Sequence, residues 1–139
     1  MKRNLWFVLL LTILLAACGG NGSTDNATTT DEIDAATGLP LNPQVLPDGP
    51  FIVEGVIASQ NLTPQTAPEF VVRVPSGKTF RIRSQPLADT FYDDGSPIAP
   101  SEFTQGMQVR AMVTQAPADA TSGSVNLLIS EDLTIIKEP

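Results

Sequence analysis

The sequence predicts an all-β domain, a small five-stranded barrel over residues 51–139, behind a leader and a spacer. Two observations carry this. After residue 50, short stretches are either continuously apolar or strictly alternating, the pattern of strands rather than helices. The segments between them are built from Gly, Pro, Asp and Ser, the residues that make turns. An SH3-like barrel and a small β-sandwich are the alternatives with the same strand content.

Phe51–Ser59 ("FIVEGVIAS") is the first strand, apolar at most positions, with Gly55 marking a bulge or bend. Glu54 inside it faces solvent or pairs with an arginine. The next two strands, 69–74 ("EFVVRV") and 79–84 ("TFRIRS"), alternate cleanly, and their register follows from the turn between them. Pro75-Ser76-Gly77 suits a type I turn closed by a left-handed Gly, which pairs Val74 with Lys78. Val72 then faces Phe80 and Phe70 faces Ile82, so the four apolar residues share one side. On the other side Arg73 meets Thr79, Val71 meets Arg81, and Glu69 meets Arg83. A loop one residue shorter or longer would scramble both faces.

Residues 85–106 form a long connection, in which Ser101 is positioned to cap a single helical turn and Gly106 to end it. Phe103 would plug the core. The fourth strand, 107–115, places Met107, Val109, Ala111 and Val113 on one face. Residues 124–130 and 133–137 supply the last strand, or one strand broken at Glu131-Asp132.

A bent first strand, a tight hairpin and a third connection with one helical turn resemble the OB-fold, the five-stranded Greek-key barrel. The chain is also similar to small exported bacterial domains of unknown function. The matching pieces are Gly55-Val56, the hairpin at 70–83, Gly106-Met107-Gln108-Val109 and the run from Leu127 to Ile136.

Met1-Lys2-Arg3-Asn4 is cationic, and Leu5–Leu15 is apolar except for Thr12. With Ala16-Ala17 behind it, this has the three regions of a secretory signal peptide. An eleven-residue helix rises only about 16 Å, roughly half a bilayer core. The single cysteine of the chain stands directly after the two alanines. Leu15-Ala16-Ala17-Cys18 resembles the lipobox of bacterial lipoproteins. The resemblance implies cleavage after residue 17, a diacylglycerol thioether on Cys18, and N-acylation of the new terminus. It also implies anchoring to the outer face of the cell membrane or to the outer membrane. Two or three acyl chains suffice for stable anchoring, where one is marginal.

Residues 18–50 then read as the lipidated Cys and a spacer. Residues 19–38 have one large apolar side chain, Ile33, and are expected to be disordered. Residues 39–50 hold four prolines in twelve positions and are expected to be extended. Fully drawn out, 32 such residues would approach 100 Å.

Composition narrows function. Without residues 1–17, six basic residues stand against fifteen acidic, a net charge of −9. Such a chain points away from nucleic acid, whose binding rests on Lys and Arg neutralising phosphates. There is no His, and the one thiol is assigned to lipid, so His- or Cys-dependent nucleophilic catalysis has no residues to use. Asp93-Asp94-Gly95-Ser96 lacks the ligand spacing of a calcium loop and reads as a turn. No metal or cofactor is expected beyond the covalent lipid.

The concentration of positive charge is Arg73, Arg81 and Arg83, all placed on the outer face of the hairpin by the derived register. Guanidiniums so arranged suit a carboxylate or sugar acid. The simpler reading pairs Arg83 with Glu69 and leaves the others to keep the face soluble. The function expected is that of an anchored, non-enzymatic binding or accessory module for an envelope protein, peptide or anionic glycan. A spacer lipoprotein without a small ligand is the alternative.

Overall fold

The structure is a computed structural model and describes residues 31–117 and 126–138. The expected signal peptide at 1–17, Cys18, residues 19–30 of the expected spacer, and Ser124 and Val125 of the expected last strand lie outside the described residues. The strands are β1 (Glu32–Ile33), β2 (Pro40–Leu41), β3 (Phe51–Asn61), β4 (Glu69–Arg73), β5 (Thr79–Arg83), β6 (Gln108–Gln115), β7 (Leu127–Ile129) and β8 (Thr134–Ile136).

The length of β3 lets one strand serve two partners. Its first half, Phe51–Val56, pairs antiparallel with β6, and its second half, Val56–Asn61, pairs antiparallel with β4. β4 pairs with β5, β5 runs parallel to β7, and β6 pairs with both β7 and β8. The ring β3-β4-β5-β7-β6-β3 closes, with β7 and β8 as two pieces of the fifth barrel strand. The chain is all-β and forms an OB-like barrel with additional strands, as the sequence predicts.

The hairpin register is the one derived from the turn. Glu69 pairs with Arg83, Phe70 with Ile82, Val71 with Arg81, Val72 with Phe80 and Arg73 with Thr79. Gly77 sits at φ +86°, and Val74 accepts the Gly77 N–H at 2.9 Å and donates its own N–H to the Lys78 carbonyl at 3.0 Å. Alternation then sends Phe70, Val72, Phe80 and Ile82 into the core with Phe51, Val53, Ile57, Val109, Ala111 and Val113. Burying each such side chain is worth about 1.5–3 kcal/mol, which is why the register does not slip. Phe103 does plug one end, its ring 5.9 Å from that of Phe70. The break in the last strand falls at 130–133, where the Asp132 carboxylate accepts the Met112 N–H at 2.9 Å in place of a ladder carbonyl.

Three local expectations are corrected. The bulge of β3 lies between Ile57 and Ser59, not at Gly55. Gly55 is needed for close approach instead, because a Cβ there would stand 2.4 Å from the carbonyl oxygen of Arg73. The turn at Pro100–Glu102 is 3-10, Ser101 does not cap it, and it ends at Phe103 rather than at Gly106. Glu102 reaches back to accept the Ala99 N–H at 2.6 Å.

The largest correction concerns the spacer. Residues 31–50 are an arm laid on the barrel rather than a free chain. β1 pairs antiparallel with β2, and β2 pairs parallel with β3 through Leu41 and Ile52. The physical reason is an open edge. The hairpin β4–β5 is short, so beyond Val56 the β4 side of β3 has no partner, and unpaired backbone groups need one.

Candidate functional site

The outer face of the hairpin carries the three predicted arginines. β4 and β5 hold them there because their inward neighbours are fixed by the core. Arg81 and Arg83 converge on one carboxylate, that of Glu69. Arg81 donates from Nε to Oε2 at 2.9 Å, and Arg83 from Nη2 to Oε1 at 2.8 Å. Each guanidinium presents an edge to a different oxygen, so Glu69 spans the pair. The Glu69 carboxyl is held below its usual range by Arg83 and, against the opposing effect of burial, by Arg81. Arg83 is the direct cross-strand partner of Glu69 and Arg81 the diagonal one. Arg73, exposed at the turn end of the same face, forms no salt bridge among the described residues. The face therefore carries three guanidiniums against one bonded carboxylate.

Other arrangements lay outside the sequence reading. Arg110 on β6 lies between Asp34 of the arm and Glu54 of β3, with N–O distances of 2.7 Å to each. Asp34 is buried, and its pKa is lowered to about 2, first by the Thr37 hydroxyl and next by Arg110. Asp34 and Glu54 in turn raise the Arg110 pKa. Glu54 thus takes the arginine-paired option of the two left open by the sequence. Periodicity gives no hint of Asp34, which acts through a single side chain 76 positions from its partner.

Asn42 completes the hold of the arm. Its N–H donates to the Ile52 carbonyl at 2.8 Å. Its side-chain amide donates to the Glu54 carbonyl at 3.0 Å and accepts the Glu54 N–H at 2.9 Å. The amide copies the donor–acceptor pair that another strand residue would present. Lys78 Nζ donates to the carbonyls of Pro43 and Gln44 at 2.9 and 2.8 Å and lies 4.6 Å from the centre of the Phe80 ring.

Asp93–Ser96 is the expected turn, with Gly95 at φ +80° and Asp94 accepting the Ser96 N–H at 2.9 Å. Asp94 also pairs with Lys137 at 2.8 Å, and the two groups push each other's pKa values apart, Asp94 down and Lys137 up. A surface cleft of about 400 Å³ lies nearby, bounded by Tyr92, Met107, Gln108, Ile136 and Lys137. Among the described residues no group of three His, Cys, Asp or Glu is placed to hold a metal ion. No helix among them is long and apolar enough to cross a membrane.

The fold and this surface define an OB-like barrel with a cationic strip and a clasped N-terminal arm. No family model matches the chain, and no curated protein matches it. Among solved structures it is similar to part of a Leishmania major Friedlin protein assigned as an aspartyl-tRNA synthetase, at 13% identity and a TM-score of 0.42. The match covers 68% of this chain and 19% of that one, and nothing of that protein's activity is carried over.

Proposed function

We propose that the chain is an exported lipoprotein, anchored through Cys18. Its barrel is a non-enzymatic binding module for an anionic ligand, a carboxylate-bearing glycan, peptide or protein segment of the cell envelope. The reading of the leader and of Leu15-Ala16-Ala17-Cys18 supports the anchor. One observation supports the binding face: Arg73, Arg81 and Arg83 stand together on an exposed sheet of an otherwise acidic chain, and only Arg81 and Arg83 share a carboxylate there, that of Glu69. Guanidinium edges not turned towards Glu69 can meet a further anion, and a preorganised pair loses little entropy in doing so.

The face is tested by thermal shift of the protein against sugar acids, oligogalacturonates, acidic peptides and neutral sugars. A ligand at a hundred times its Kd adds about 2.7 kcal/mol. The expected result is stabilisation by an anionic ligand that disappears in Arg73→Ala/Arg81→Ala. The anchor is tested separately, by labelling cells with an alkyne fatty acid and comparing the chain with Cys18→Ser.

A second reading has its own observation. Glu69 already engages Arg81 and Arg83, and exposed pairs of this kind chiefly keep a sheet face soluble. On that reading the protein is an envelope spacer, and the double variant leaves every interaction unchanged.

A further inference from the structure

The groove filled by the arm exists because of a mismatch in strand length. β6 takes one edge of β3 from Phe51 to Val56, while β4 reaches only to Val56 on the other. The vacant stretch is Ile52–Glu54. Ile52 is 2% exposed, although it points away from Phe51 and Val53 and is not part of the core cluster. Its cover lies outside the barrel, where β2 pairs with it. The groove is read by an apolar residue followed by Asn, since Leu41 pairs with Ile52 and Asn42 satisfies both backbone groups of Glu54.

We propose that this groove also takes the arm of a second copy of the chain, giving a dimer in which the two arms are exchanged. The segment known to fit the groove is residues 31–47, and a second copy supplies it with every contact intact. Asp34 to Arg110, Asn42 to Glu54, Pro43 and Gln44 to Lys78, and Pro47 to Gln115 are all contacts between arm and barrel. Exchange leaves this set unchanged, so the balance falls to the hinge and to whatever surface the second copy covers.

Both favour exchange. The hinge is Pro47-Asp48-Gly49-Pro50; residues 48–50 are exposed and take no part in the bonds that fix the arm. Its two prolines restrict the backbone and favour an extended link over a folded-back one. The outer side of the arm meanwhile carries Ile33 and Val45, 56% and 78% exposed. Met112, 43% exposed, lies two residues along the outer face of β6 from Arg110, which holds the neighbour of Ile33. Ile33 and Val45 belong to the arm and Met112 is the cross-strand partner of Ile52, the residue that the arm pairs with, so a second copy seated along the arm would cover them. The proposal does not depend on the lipid anchor or on the arginine face.

The test places thiols at Leu41 and Ile52, register partners on adjacent strands and so within disulfide reach. Leu41→Cys/Ile52→Cys is prepared in the full chain carrying Cys18→Ser, refolded at rising protein concentration, oxidised, and run on a non-reducing gel. The expected result is a band at twice the chain mass that grows with concentration. The chain carrying only Cys18→Ser should show the same doubling by light scattering. Internal cross-links alone, at one chain mass throughout, overturn the proposal. So does a dimer by light scattering that carries only internal cross-links, because its copies then associate through another surface. If the cysteine pair fails to fold, a monomeric Cys18→Ser chain at every concentration overturns the proposal and a doubled mass that is lost on replacing Asn42 by Ala upholds it.

Discussion

Replacing Asn42 by Ala strips the arm of its central fastening. Two side-chain hydrogen bonds disappear, 3.0 and 2.9 Å long, and the Glu54 N–H and C=O lose their partners in a half-buried position. A hydrogen bond of this type contributes about 0.5–1.5 kcal/mol net, and more when its partner is left unsatisfied. Asn42 also has φ +49°, a left-handed conformation that Asn tolerates and Ala resists by about 1 kcal/mol. The sum is about 2–3 kcal/mol, or about 10–20 °C in Tm for a domain of this size. Asn42→Gly separates the two causes, since Gly relieves the backbone while losing the same bonds. It should recover about 1 kcal/mol of the loss. Far-ultraviolet circular dichroism under urea gives the stabilities, and amide exchange at Glu54 gives the local effect. An Asn42→Ala protein within about 0.5 kcal/mol of the parent, with the Glu54 amide still protected, would show that the arm does not close the β3 edge.

Three further outcomes follow from the same geometry. Gly55→Ala drives a Cβ to 2.4 Å from the Arg73 carbonyl oxygen, a backbone atom that cannot step aside without parting β3 from β4. The expected loss is about 3 kcal/mol by urea denaturation, and an unchanged midpoint contradicts the close approach. Asp34 titrates near 2 when folded against 3.8 as an ordinary Asp, so its share of stability is present above about pH 4 and is lost as pH falls towards 2. The Tm gap between the parent and Asp34→Asn should therefore be constant from pH 5 to 7 and shrink between about pH 4 and 2; a gap unchanged over that fall speaks against the clasp. Glu102→Ala removes the acceptor of the Ala99 N–H and should cost about 0.5–1 kcal/mol, whereas Ser101→Ala should be neutral; the reverse order in thermal melts would restore Ser101 as the cap.

Much of the barrel was legible because several local signals agree. At the hairpin, turn chemistry and alternation independently demand the same register, and one face follows from the other. That is also why the outward placement of Arg73, Arg81 and Arg83 was legible. The sharing of Glu69 was half legible: Arg83 is its direct partner, but Arg81 reaches it on the diagonal, and a pairing scheme alone does not choose the rotamer. Gly55 was read as a bulge or bend, and the close approach it actually serves depends on the position of the Arg73 carbonyl, which no local pattern gives. The arm was illegible for a different reason. It has no apolar period, and its composition is that of a chain unable to bury a core. It is held by single polar side chains acting on backbone or on one distant charge, such as Asn42 on Glu54 and Asp34 on Arg110.

On the proposed lipoprotein reading, the fastened arm changes how far the barrel can stand from a membrane. With residues 31–47 bound, the stretch from a lipidated Cys18 to the barrel is residues 19–30, which cannot span more than about 40 Å however they run. The chain enters the fold beside the β4–β5 turn, where Asp31 accepts the Gln44 N–H and Gln44 reaches Ser76. Under the proposed anchor, a short leash at that end would turn the Pro75–Gly77 tip towards the lipid and the Glu69–Arg83 end of the hairpin outward. A barrel anchored in the proposed way would patrol a thin layer above the bilayer. The anionic ligand proposed for it would then be carried by something already rooted in that layer, or be long enough to hang down into it.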